Sequence, residues 1–152
     1  MAKASPEAQL ETFIRKFTPA LAAQLRAVLK KMRGRLPGAI ELVYDNYNAL
    51  AIAFASGERL KDVVFSIAAY PRWVSLFFAA GIGLDDPDKR LKGSGSRIRH
   101  IVLDTPAMLD DPAVKKLMAQ ALKLAGNPID KKLPGRIVIK SISAKQRPRR
   151  PA

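Results

Sequence analysis

Residues 49–55 read ALAIAFA, and residues 63–70 read VVFSIAAY. In the first stretch Leu50, Ile52 and Phe54 alternate with Ala49, Ala51, Ala53 and Ala55; in the second Val63, Phe65 and Ile67 alternate with Val64, Ser66 and Ala68. A period of two is that of a β-strand, whose successive side chains point to opposite faces. One face thus collects large apolar groups and the other small ones. Neither face is polar, so a sheet made from these strands is covered on both sides or offers one side as a floor. A packed helix is the ordinary cover. The alternatives are an apolar ligand groove and a homodimer surface.

Working outward, Ala39–Asp45, Trp73–Phe78 and Ile98–Leu103 are further β-prone runs, separated by Asn46, Gly57, Pro71-Arg72 and a Gly/Ser loop. The two-residue link at Pro71-Arg72 predicts a tight hairpin. These intervals are too short for crossover helices, so the expected sheet is antiparallel. Helices are predicted to flank it. Ser5-Pro6, Thr18-Pro19 and Asp111-Pro112 each place a capping side chain before a proline at the first helical position. Leu10, Phe13, Ile14 and Phe17 form the stripe of a short helix, and Leu21, Leu25, Val28, Leu29 and Met32 that of a longer one stopped by Pro37-Gly38. Val114, Leu117, Met118 and Leu122 mark a third, stopped by Gly126. The expectation is an α+β domain at 5–126, with an antiparallel β-sheet of about five to six strands flanked by two N-terminal helices and one C-terminal helix. RIVIKSI (136–142) supplies a possible edge strand within a linker at 127–142, and SAKQRPRRPA (143–152) reads as a solvated, disordered tail.

A chain of 152 residues with 48% hydrophobic and 26% charged residues has the size and composition of one globular domain. It has no cysteine, which excludes disulfides, thiolate metal sites and cysteine nucleophiles. His100 is the single histidine, so no imidazole pair exists. The start, MAKASPEAQLETF, lacks the apolar centre of a signal peptide, and no apolar run approaches the ~18 residues of a membrane span. A cytoplasmic protein without a membrane partner is expected.

Charge is the extreme quantity: 27 Lys and Arg against 13 Asp and Glu give +14. From Lys131 onward there are eight cations (Lys131, Lys132, Arg136, Lys140, Lys145, Arg147, Arg149, Arg150) and no acid. A second acid-free stretch, Thr18–Ile40, holds Arg26, Lys30, Lys31, Arg33 and Arg35. Such surpluses attract polyanions by counterion release. They also serve solubility, and several suit the C-terminal end of a helix dipole.

The segments IELVYDNYNALAIAF (40–54), VVFSIAAYPRWVSLFF (63–78), LDDPDKRLKGSGSRIRHIVLD (84–104) and DPAVKKLMAQAL (111–122) together resemble the YdhG-like family of bacterial domains of unknown function. The resemblance covers about residues 18–126 and implies an antiparallel sheet flanked by helices. Some relatives carry a frataxin-like, iron-delivery label, which implies an acidic helix and strand edge. This chain departs from that pattern, because its first helices are cationic.

Several stretches are candidates for chemistry. Lys92-Gly93-Ser94-Gly95-Ser96-Arg97, followed by Arg99 and His100, offers backbone N–H groups and cations for an anion site, or is a hairpin loop whose glycines supply positive φ. It lacks the P-loop spacing. His100 shares a strand face with Ile98 and Val102, as a hydrogen-bonded core histidine would. Glu41 and Asp45 share a strand parity and are expected to face solvent or pair with Arg or Lys. Asp85, Asp86 and Asp88 suggest a capped turn, since Lys89-Arg90 arrive where a calcium loop needs further oxygen ligands. Tyr44, Tyr47, Tyr70 and Trp73 could stack on bases beside cations, and Trp73 is grouped with the anion site. The tail cations Lys145, Arg147, Arg149 and Arg150, with Arg26, Lys30 and Arg33 of the second helix, are the expected phosphate contacts. No nucleophile or base is paired with an orienting partner, so the expected function is a non-enzymatic binding module for nucleic acid or another polyanion, without a cofactor. The alternatives are a small-ligand or anion-binding domain with the Ala/Ser face as its floor, and frataxin-like iron delivery.

Overall fold

The computed structural model describes residues 4–152, so the reading of Met1–Lys3 as part of a leaderless start lies outside it. The order of elements is α1 (Pro6–Ile14), α2 (Pro19–Arg35), β1 (Ile40–Asp45), β2 (Leu50–Ala55), β3 (Val63–Ala69), β4 (Val74–Phe78), β5 (Arg99–Leu103), α3 (Pro112–Leu124) and β6 (Arg136–Ile142). All three helices begin on the capping pairs: Ser5 accepts from Ala8 N, Thr18 from Leu21 N and Asp111 from Ala113 N, each with proline in the first turn. Losing such a cap costs about 0.5–2 kcal/mol.

The sheet has six strands in the order β5-β4-β3-β2-β1-β6. β1 to β5 form an antiparallel meander. β6 corrects the purely antiparallel expectation, because it runs parallel to β1. The reason is topological. After β5 the chain crosses the helix layer as α3 and returns along the opposite edge, and such a crossover delivers a parallel strand.

The two faces differ as the alternation predicts except at Val63 and Val64, where a bulge opposite Ala55 turns Val64 into the helix-side core and Val63 to the other face. Val43, Leu50, Ile52, Phe54, Phe65, Ile67, Leu76 and Phe78 join the buried side chains of α1, α2 and α3 in one core. The opposite face holds a second, smaller cluster, Ile40, Leu42, Ala53 and Ala55 with Tyr44, Val63 and Val138 around it, and no helical residue takes part. All three helices lie on one side. The small-residue face carries no helix.

The expected solvated tail is ordered instead. Ser143 N donates to Asp45 O and Arg147 N to Tyr47 O, which carries the chain past the end of β1. Arg149 is buried, and its guanidinium donates to Asp45 Oδ1 at 2.9 Å and to Asn46 O. Asp45 also accepts from Lys16 Nζ at 2.8 Å. Burial pushes the Asp45 carboxyl up, but hydrogen bonds from Lys16, Gln146 and Arg149 outweigh it and hold it below the usual aspartate value. The composition of 143–152 cannot build a core of its own; a buried carboxylate far away in sequence supplies the anchor. No helix of the described residues is long and apolar enough to cross a membrane.

Candidate functional site

The helix-free face is built by register. The pairings Leu42↔Ala53, Tyr44↔Ala51, Ala53↔Ser66, Ala51↔Ala68, Ala68↔Ser75, Ser75↔Val102 and Phe77↔His100 set those side chains on one side of the sheet. Ala51, Ala53, Ser66, Ala68 and Ser75 form its low centre, sunk between larger neighbours. Tyr70 and Trp73 continue the same parity into the β3–β4 turn, where Tyr70 N donates to Trp73 O. Their rings stack at 4.7 Å between centroids and 19° between planes. Further along β4, Phe77 and His100 stack at 5.1 Å and 27°. Trp73 is 43% exposed. Four residues of strand separate Trp73 from Phe77, about 13 Å at ~3.3 Å per residue.

The charge around this face is mostly positive, with Glu58 at the β6 edge as the exception. The only acids within the six strands are Glu41 and Asp45, and both point to the helix side, into Arg33 and into Lys16 and Arg149 respectively. Both are buried, which corrects the solvent-facing alternative and leaves the paired one. Lys92 exchanges two backbone hydrogen bonds with His100, so its side chain leaves the sheet on the His100 side. Arg72 sits exposed in the turn between Tyr70 and Trp73. At the β6 edge Arg136 and Lys140 both reach the single carboxylate of Glu58, at 2.7 and 3.8 Å.

The anion-site residues expected of the loop do not converge. Strand alternation sends Arg99 to the side of Ile101 and Leu103, against Gly81, while His100 faces the other way. The Arg99 guanidinium donates back to Gly95 O at 2.6 Å and Ile98 O at 2.8 Å. Two of the loop's carbonyls are thus taken by the protein's own guanidinium. Gly93 has φ +123, so the glycine reading as a turn residue describes it well. Lys92, Gly95 and Arg97 are exposed, and Trp73 stands at the far end of β4. His100 is not a closed core residue; it stacks half-buried on Phe77. Asp86 accepts from Arg90 N and Leu91 N, a capped turn.

The expected phosphate contacts divide. Arg26 is tied to Glu11 and Arg33 to Glu41, while Arg149 is buried on Asp45. Arg150 donates to Lys16 O, and Arg147 lies over the Tyr47 ring at 5.6 Å. Lys30, Lys131, Lys132 and Lys145 are exposed and make no ion pair among the described residues. The sequence reading missed Phe77 as a surface ring, although its parity with Trp73 and Ser75 signals it. Among the described residues no group of three His, Asp or Glu side chains could hold a metal ion. No protein-family model, curated protein or solved structure matches the chain.

Proposed function

We propose that this YdhG-like chain is a non-enzymatic module that binds an anionic polymer, with nucleic acid as the class its charge suits best. The observation that carries the reading is the cation surplus left after internal pairing. Three of the C-terminal cations, Arg136, Lys140 and Arg149, are matched by only two carboxylates, Glu58 and Asp45, and Asp45 is shared with Lys16. Lys131, Lys132 and Lys145 remain in water beside them. Exposed cations without internal counter-ions release condensed ions from a phosphate chain when they bind it. The buried acids Glu41, Asp45 and Asp62 are each held in ion pairs, so none stands free as a general acid or base.

The test is a salt titration of binding to generic DNA, RNA and heparin. Affinity should fall steeply between ~50 and ~200 mM salt when several phosphates are contacted. Absence of binding to all three at the lower salt ends the proposal.

A further inference from the structure

We infer that the helix-free sheet face is a platform for single-stranded nucleic acid, with the Tyr70–Trp73 and Phe77–His100 pairs as base-stacking sites and Lys92 and Arg72 as phosphate contacts. The inference rests on the polyanion reading above and deepens it. Four observations carry it. The face has no helix over it, yet it presents aromatic rings in two stacked pairs. Its centre is alanine and serine, of which Ala51 and Ser66 are part-exposed while Ala53, Ala68 and Ser75 are covered by their larger neighbours. The strands contribute no acid to it, while Lys92 and Arg72 border it. A partner that combines flat apolar rings with a chain of negative charges matches both features at once, and base stacking on aromatic side chains contributes about 1–3 kcal/mol per base.

The exposed rings select the strand form. The ~13 Å from Trp73 to Phe77 is about four steps of the ~3.4 Å rise along a strand, so bases on the two pairs are separated by intervening nucleotides. Only an unpaired strand has exposed base faces. A second copy of the protein fits less well, since two faces of the same positive sign would be brought together.

The chain has a built-in reporter, because Trp73 is its only tryptophan and stands on this face. The experiment follows Trp73 emission during titration with a thymidine oligonucleotide of about 16 residues, the upper site size for single-strand-binding folds, and with its duplex. The expected result is a change in Trp73 emission with the single strand and clearly tighter binding of it than of the duplex. Trp73→Ala and Phe77→Ala, followed by anisotropy of a labelled strand, should each weaken single-strand binding about tenfold while duplex binding holds. Lys92→Gln and Arg72→Gln, both at exposed side chains, should lower affinity and reduce the salt dependence. Equal binding of duplex and single strand, with Trp73 emission unmoved, overturns this inference and leaves the polyanion reading standing. Failure of both forms and of heparin to bind removes the polyanion reading and this one with it. A concentration-dependent dimer that shields Trp73 without nucleic acid also overturns it, and assigns the face to a second copy.

Discussion

Asp45 sits at the meeting point of α1, the end of β1 and the C-terminal segment, with Lys16 on one carboxylate oxygen and Arg149 on the other. The two sides of this cluster are not equivalent. Asp45→Asn leaves a buried guanidinium with no counter-charge, and Arg149 already has an Nε without a partner. Breaking a buried pair from that side should cost about 3–5 kcal/mol in denaturant unfolding. Arg149→Ala leaves Asp45 with Lys16 and should cost less, about 1.5–3 kcal/mol. Equal costs would mean that the segment contributes only packing. The pH dependence has a definite sign. The Asp45 carboxyl is held below its unfolded value of ~3.9, so its contribution is complete above about pH 5 and is lost as pH falls through the folded value. The acid limb of the stability profile should be shallower in Asp45→Asn. Strand parity made it legible that Glu41 and Asp45 share a face. The identity of the Asp45 partner was not legible, because Arg149 lies 104 residues away and nothing local marks it.

At the level of elements, the alternation in 49–55 and 65–70 was enough to predict both sheet faces, but at Val63 and Val64 a bulge opposite Ala55 reverses the predicted sides. It could not say on which face the helices settle, because alanine suits a covered face and an open one alike. β6 shows the other limit. Its residues mark a strand, but its parallel placement beside β1 depends on where α3 returns the chain and on two glycines. Gly38 has φ +85, and a Cβ there would stand 2.0 Å from Asp130 O; Gly135 has φ +71, and its Cβ would stand 2.8 Å from Ala39 O. Both positions lie where the 127–135 segment crosses the start of β1. Gly38→Ala combines backbone strain with a clash against main chain, so it should destabilise by more than the ~1 kcal/mol that φ alone explains. Hydrogen exchange should rise first in β6. Gly34 is the contrast: it lies in α2, and a Cβ there meets nothing within 4 Å. Gly34→Ala should therefore stabilise by about 0.5–1 kcal/mol. A loss of stability at Gly34 would mean that α2 is held by a contact its backbone geometry does not show.

Over the whole molecule, composition reports the +14 directly, but not which cations are spent inside the fold. Arg26, Arg33 and Arg149 belong to the protein's own ion pairs, and their partners are set by tertiary contacts. This changes how the polyanion reading has to be probed. Deleting 143–152 removes Arg149 together with Lys145, so any loss of binding would be mixed with loss of fold. Substituting Lys131, Lys132 and Lys145 by glutamine separates the two, because these side chains are exposed and unpaired among the described residues. The triple variant should keep the thermal midpoint of the parent. Each phosphate contact adds about 0.7 to the slope of log affinity against log salt for single strands. If all three lysines touch phosphate, the slope should fall by about 2, with the largest loss of affinity at the lowest salt. An unchanged slope in a folded variant would place the phosphate path away from the C-terminal edge, along Lys92 and Arg72.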